Sequence, residues 1–126
     1  MARSVADFQA VRTMGLALPD VTEGSAYGSP ALKVRGKMFA CVPVNKSAEA
    51  GSLAVRINFE RRARLLEEFP AVYYVTDHYE PHPIVLVRLA RISRTELRRL
   101  LRQARDFMAM EPGAARPPRS SPRAKR

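Results

Sequence analysis

A chain of 126 residues with 22 Lys and Arg against 12 Asp and Glu carries a formal charge of +10, and it holds a single cysteine. The length fits one domain that buries a core without metal, and one thiol excludes an internal disulfide. Asp7, Gln9 and Arg12 interrupt the apolar start that a secretory signal needs, and no window approaches the roughly 18 apolar residues of a membrane span. The expectation is a cytoplasmic monomer whose charge favours phosphate-rich or acidic partners.

Ser4, with Asp7 three residues on, resembles a capping box, and Val5, Phe8, Val11 and Met14 follow at helical spacing up to Gly15 and Pro19. Residues 20–30 are rich in turn formers and read as a link. Leu32 and Val34 then alternate with Lys33 and Arg35, Gly36 supplies the positive φ of a tight connection, and residues 37–42 return as the second strand of a hairpin. Cys41 lies in that apolar return and is expected to be a buried, unreactive thiol. After a loop over 43–51, Leu53, Val55 and Ile57 alternate with polar or small residues in a third strand.

Asn58 is a good cap for a second helix over 59–69, with Ala63, Leu66 and Phe69 turned to the core until Pro70 stops it. Residues 72–76 and 84–91 read as β-branched and aromatic strands, joined by a loop that holds Asp77, His78, Glu80, His82 and two prolines. Ser93 with Glu96 caps a last helix over 94–110. Its buried stripe is Leu97, Leu100, Leu101, Ala104 and Met108, and Arg94, Arg98, Arg102 and Arg105 recur on the opposite side over about 16 Å. Residues 111–126 lack periodicity and are expected to be disordered. Within them Arg116, Arg119, Arg123, Lys125 and Arg126 against Glu111 contribute four of the ten positive charges. The predicted fold class is α+β: one two-layer domain over 1–110, with an antiparallel sheet of about five strands packed by three helices.

Three groups of residues bear on function. The hairpin cations Lys33, Arg35 and Lys37, with Arg56 and the arginines of the last helix, suit phosphate contact, because a planar guanidinium grips phosphate oxygens with paired hydrogen bonds. The competing reading is a solvated helix face, with Glu96 and Asp106 near enough to pair with Arg99 and Arg102. His78, Glu80 and His82 would share one side of an extended segment, but no second cluster completes a metal or acid/base site, so Asp77 capping a turn and His78 bridging loops is the preferred use. No catalytic residue, metal or cofactor is assigned. The glycine loop 24–30 precedes a strand and lacks the lysine of a phosphate-binding loop; Tyr27 within it is expected to pack over the sheet.

The stretch Gly24-Ser25-Ala26-Tyr27-Gly28-Ser29-Pro30-Ala31-Leu32-Lys33-Val34-Arg35-Gly36-Lys37-Met38-Phe39-Ala40, followed by Tyr74-Val75-Thr76-Asp77-His78-Tyr79 and Val85-Leu86-Val87-Arg88-Leu89, resembles the MmcQ/YjbR family of small bacterial proteins over roughly residues 4–108. The resemblance implies an α+β fold similar to a double-wing motif of a phage transcription factor, and DNA as the partner. The chain departs from the family in having no tryptophan: Ile84 and Ala104-Arg105 stand where many members carry one. The expected function is therefore non-enzymatic DNA binding through Lys33, Arg35, Lys37, Arg56, Arg94, Arg98, Arg102 and Arg105. The alternative is a protein-interaction or small-ligand module with a groove lined by Tyr27, Tyr74, His78 and Tyr79.

Overall fold

The computed structural model describes residues 7–110. The element order is α1 (Phe8–Leu16), β1 (Val21–Ala26), β2 (Ser29–Val34), β3 (Lys37–Cys41), β4 (Ser52–Arg56), α2 (Phe59–Glu68), β5 (Tyr73–Tyr74), β6 (Ile84–Arg88) and α3 (Arg94–Met110). All strand pairs are antiparallel, in the order β1-β2-β3-β4-β6-β5. The sheet thus has six strands where the sequence predicted about five.

The added strand is β1, formed by residues read as a link. It is held by a two-residue turn: Ala26 pairs with Ser29, and Tyr27 and Gly28 between them both have positive φ, 55° and 80°. Val34 pairs with Lys37 around Arg35 and Gly36 in the same manner, with φ of 53° and 81°. Paired left-handed residues match the twist of the flanking strands, so two such turns in succession fold β1, β2 and β3 into a meander. Leu32 pairs with Ala40 and Lys33 with Met38, which leaves Phe39 as an extra residue on β3. This bulge lets Phe39 and Ala40 both join the core on the helix-covered side.

α1 is capped by Asp7 and not by Ser4: the Asp7 carboxylate accepts from the Ala10 amide at 3.1 Å, satisfying a donor that a helix start leaves open. Ser4 and Val5 lie outside the described residues, as does the segment 111–126 with its expected disorder. Gly15 does not stop the helix. A Cβ there would come within 2.3 Å of the Leu32 side chain, so its absence lets α1 lie close on β2.

The three helices cover one face of the sheet. Val11 and Met14 of α1 and Leu97, Leu100, Leu101, Ala104 and Met108 of α3 pack against Leu32, Val34, Leu53, Val55, Val85 and Val87. The α3 stripe and its Ser93 cap, which accepts from the Glu96 amide at 3.1 Å, are as the sequence predicts. In α2 the Asn58 cap holds, but the buried side is different: Arg62 is buried and Leu65 and Leu66 half-buried, whereas Ala63 and Phe69 are exposed. The reverse face of the sheet carries a second, smaller cluster of Ala31, Cys41, Ala54, Tyr79, Ile84 and Leu86. No helix covers it. The β3–β4 and β5–β6 loops do, and this arrangement opens the cavity described below.

Candidate functional site

The structure divides the eight predicted cations between the two faces. Arg94, Arg98 and Arg102 are exposed on the outer side of α3 and enter no ion pair among the described residues. Arg99 takes Glu96 at 2.9 Å, as expected, but Asp106 pairs with Arg105 and not with Arg102. Arg105 is turned inward, its side chain 15% exposed; its Nε donates to the Pro19 carbonyl at 3.0 Å and its guanidinium lies 3.6 Å from Asp20. Lys37 donates to the Met108 carbonyl at 3.1 Å, where a cation offsets the unsatisfied carbonyls of the α3 C-terminus. Arg35, at the tip of its turn, reaches the same Asp20 at 3.5 Å and stays largely exposed. Six of the eight therefore lie along α3 and at its C-terminal end, two of them as fastenings. Lys33, which alternates with the core residues Leu32 and Val34, points to the other side of the sheet, and so does Arg56.

Arg56 lines a cavity of about 570 Å³ on that other side. Its floor is strand residues, Met38 and Cys41 of β3, Ala54 and Arg56 of β4 and Ile84 of β6. Tyr27 at the β1–β2 turn, Val44 and Asn45 of the β3–β4 loop, and His78, Tyr79 and His82 of the β5–β6 loop form the walls. Three of the four predicted groove residues, Tyr27, His78 and Tyr79, meet here. Tyr27 does not pack over the sheet: it is 77% exposed at the rim. Tyr74 is absent from the lining. Its hydroxyl bonds Ser52 Oγ at 2.6 Å and accepts from the Glu49 amide at 2.7 Å, and the Arg88 guanidinium lies 4.4 Å over its ring, so it works as an anchor of the β3–β4 loop.

The β5–β6 segment is not extended. The amides of Tyr79 and Glu80 donate to the Thr76 carbonyl and that of His82 to the Tyr79 carbonyl. These turns send His78 and His82 to the cavity and Glu80 away from it, toward Arg62 at 3.8 Å. The turn is anchored through Thr76, whose hydroxyl also meets Ser47 at 2.8 Å, and not through Asp77. Burial raises the Tyr79 hydroxyl pKa, partly offset by the Asn45 backbone, and burial raises that of the Cys41 thiol, partly offset by Arg56. Both stay protonated at neutral pH. None of the described lining residues is Asp or Glu, so Arg56 is the one permanent charge of the cavity.

Two arginines to which the sequence pattern assigned no role hold the cavity walls. Arg62, 7% exposed, donates to the carbonyls of His82 at 2.8 Å, Ile84 at 3.1 Å and Glu80 at 3.1 Å, with the Phe59 ring 4.8 Å beneath it. Arg88 grips both oxygens of Glu49 at 3.0 Å and reaches the carbonyls of Pro70 and Ala71 at 3.2 Å. Its hydrogen bonds hold the Glu49 pKa below the usual carboxylate range. A signal for Arg62 was present in the sequence: Phe59, Arg62, Leu65 and Leu66 share one helical stripe, and a cation inside an apolar stripe needs internal acceptors.

Among the described residues no helix is long and apolar enough to cross a membrane, and no group of three or more His, Cys, Asp or Glu could hold a metal ion. Of known families, the model described as YjbR matches residues 16–107. Among solved structures, the chain is similar to Deinococcus radiodurans protein DR2400, a crystal structure carrying the family-model domain DUF419. The identity is 16%, the TM-score 0.65, and the match covers 88% of this chain and 83% of that one. At that identity the likeness bears on the fold alone. No curated protein matches the sequence.

Proposed function

The chain belongs to the YjbR family, and from that premise we propose that it is a non-enzymatic protein that binds DNA through phosphate contacts along the outer face of α3. The observation that carries this reading is the ridge of Arg94, Arg98 and Arg102, which has no carboxylate partner among the described residues. Successive members are four residues apart, so the ridge extends about 12 Å along the helix, enough to meet more than one phosphate. Arg35 extends it at the hairpin tip. Lys37 and Arg105 act by fixing that tip and the α1–β1 connection against α3, since their donors already face protein carbonyls.

Such contacts read charge and not sequence: the ridge offers no Asn or Gln for base edges. The test is a titration of the full chain with random duplex over a series of salt concentrations, beside a variant carrying Arg94→Ala, Arg98→Ala and Arg102→Ala. The variant is expected to bind more weakly and to flatten the slope of log affinity against log salt by about 0.9 for each phosphate it no longer neutralises. An unchanged slope would mean that the ridge is a solvated surface.

A further inference from the structure

We infer that the cavity beneath the β5–β6 loop is a binding site for a small organic carboxylate with an apolar body, held by Arg56. This site lies on the sheet face opposite the α3 ridge and does not depend on DNA binding.

Arg56 lines the cavity, and its guanidinium enters no hydrogen bond or ion pair among the described residues. Arg56 Nε is buried and has no hydrogen-bond partner among the described residues, whereas the two other arginines that fasten this region, Arg62 and Arg88, have their donors on carbonyls or on Glu49. A guanidinium left without an acceptor is unfavourable, and natural folds keep few such groups without a use. Nε itself is closed to solvent, so a carboxylate in the cavity meets the terminal N–H groups, a planar two-point contact to which arginine is suited.

Charge selects the sign and the number. Arg56 faces no acidic residue in the described lining, and burial keeps Cys41 and Tyr79 neutral, so an anion meets attraction and no repulsion. One guanidinium, the one permanent charge among the lining residues, balances a single negative charge. A phosphate dianion asks for more donors. The remaining surface calls for an apolar body: Met38, Val44, Ala54 and Ile84 supply aliphatic walls, and His78 stands edge-on to Tyr79 at 4.7 Å between ring centroids. A volume of about 570 Å³ suits a metabolite of one or two rings.

Tyr27 stands at the same site. A bulky residue at φ 55° is strained, and the first position of such a turn is filled most readily by Asn, Asp or Gly. Arg35 adopts the same conformation in the next turn, at φ 53°, so what distinguishes Tyr27 is its place: its ring, 77% exposed, lines the cavity where it can meet a bound body. The walls it meets are fixed in advance by Arg62, so binding need not order the β5–β6 loop.

The test uses the full-length protein labelled with nitrogen-15, titrated with phenylacetate, indole-3-acetate and octanoate while the Arg56 Nε–Hε resonance is followed. At least one of the three is expected to shift that resonance with a Kd of about 1 mM or tighter. Its neutral amide should bind about 10-fold more weakly, and so should Arg56→Met exposed to the acid. Arg56→Lys, which keeps the charge without the planar donor pair, should recover only part of the loss and covers the case in which Arg56→Met does not fold. Arg102→Ala should bind the acids as the wild type does, so loss of DNA binding and loss of carboxylate binding are separately visible. The inference is overturned if no acid moves the Arg56 signal, if the amides match the acids, or if Arg56→Met binds as tightly as wild type. Tighter binding of phenyl phosphate than of phenylacetate would overturn the choice of a carboxylate.

Discussion

The helix-covered face of the sheet and the loop-covered face bury their residues by different means. Under the helices, branched and aromatic side chains from seven elements interdigitate, and large ones such as Phe39, Leu32, Leu53, Leu97, Leu100 and Leu101 have almost no contact with water. Beneath the loops the cluster is smaller, half of its six buried members being Ala or Cys, and its cover is tied down by guanidinium groups bonded to backbone carbonyls. The first kind of packing is non-directional and gains with every methylene removed from water. The second depends on a few directional bonds and leaves room between them. A cavity belongs to the second face for that reason, and stability should respond to mutation differently on the two sides.

The largest effect is expected on the helix side. Leu101→Ala removes a fully buried side chain between α3 and the sheet, and should cost roughly 2 to 5 kcal/mol in urea melts, the spread depending on how far the core collapses around the gap. A loss below about 1 kcal/mol would mean that α3 is not packed in this register.

On the loop side the matching substitution is Arg62→Met, which keeps the apolar stem and removes the donors. Three carbonyls lose a charged partner, for a cost of about 3 kcal/mol. The distinguishing readout is local: the amides of Tyr79, Glu80 and His82 should exchange with solvent faster, while those of α3 change only as global stability does. Uniform acceleration across both faces would show that the loop cover and the core open together.

Where the sequence carried a period, it was legible; where a single polar contact decided the outcome, it was not. The α3 stripe, the Asn58 and Ser93 caps and the turn at Gly36 follow from spacing and local chemistry, because each depends on residues within a few positions of one another. β1 was hidden because Val21-Thr22-Glu23-Gly24-Ser25-Ala26 is an edge strand with no fully buried residue, and so shows no alternation. The α2 register was only partly legible: the stripe of Phe59, Arg62, Leu65 and Leu66 is in the sequence, but the acceptors that let an arginine be its most buried member lie about twenty positions away. Of the predicted groove, Tyr27, His78 and Tyr79 converge because the β1–β2 turn and the β5–β6 loop overhang the same strands. Tyr74 leaves it for a bond to Ser52, which only the β4–β6–β5 pairing brings within reach.

Alkaline pH offers a third way to separate the faces. Tyr73 is packed in the helix-side core, and burial, with Glu96 adding to it, pushes its hydroxyl pKa up to about 12, against about 10 for an unfolded tyrosine. The native state therefore holds this proton more tightly than the unfolded chain does. Stability is unaffected by the group below pH 10 and falls as pH rises from about 10 toward about 12, by something on the order of 2 kcal/mol. Tyr73→Phe should flatten that decline in melts between pH 9 and 12 (about the range of the titration), and Tyr79→Phe on the loop side should flatten it less. A decline of equal steepness in wild type and Tyr73→Phe would show that the phenol is hydrated.

The smallest difference is the one between neighbouring arginines of α3. Arg105→Ala gives up the bond to the Pro19 carbonyl and the contacts with Asp20 and Asp106, and should cost about 1 kcal/mol, since the pair partners are half-exposed and screened. Arg102→Ala touches no such partner among the described residues and should stay within about 0.5 kcal/mol of wild type. In the DNA titration the order reverses: Arg102→Ala should reduce the salt slope by the equivalent of about one phosphate, and Arg105→Ala should leave it nearly unchanged while its fold is intact. Equal slopes for the two variants would mean that Arg105 leaves Pro19 for phosphate on binding, and that the ridge along α3 has four members.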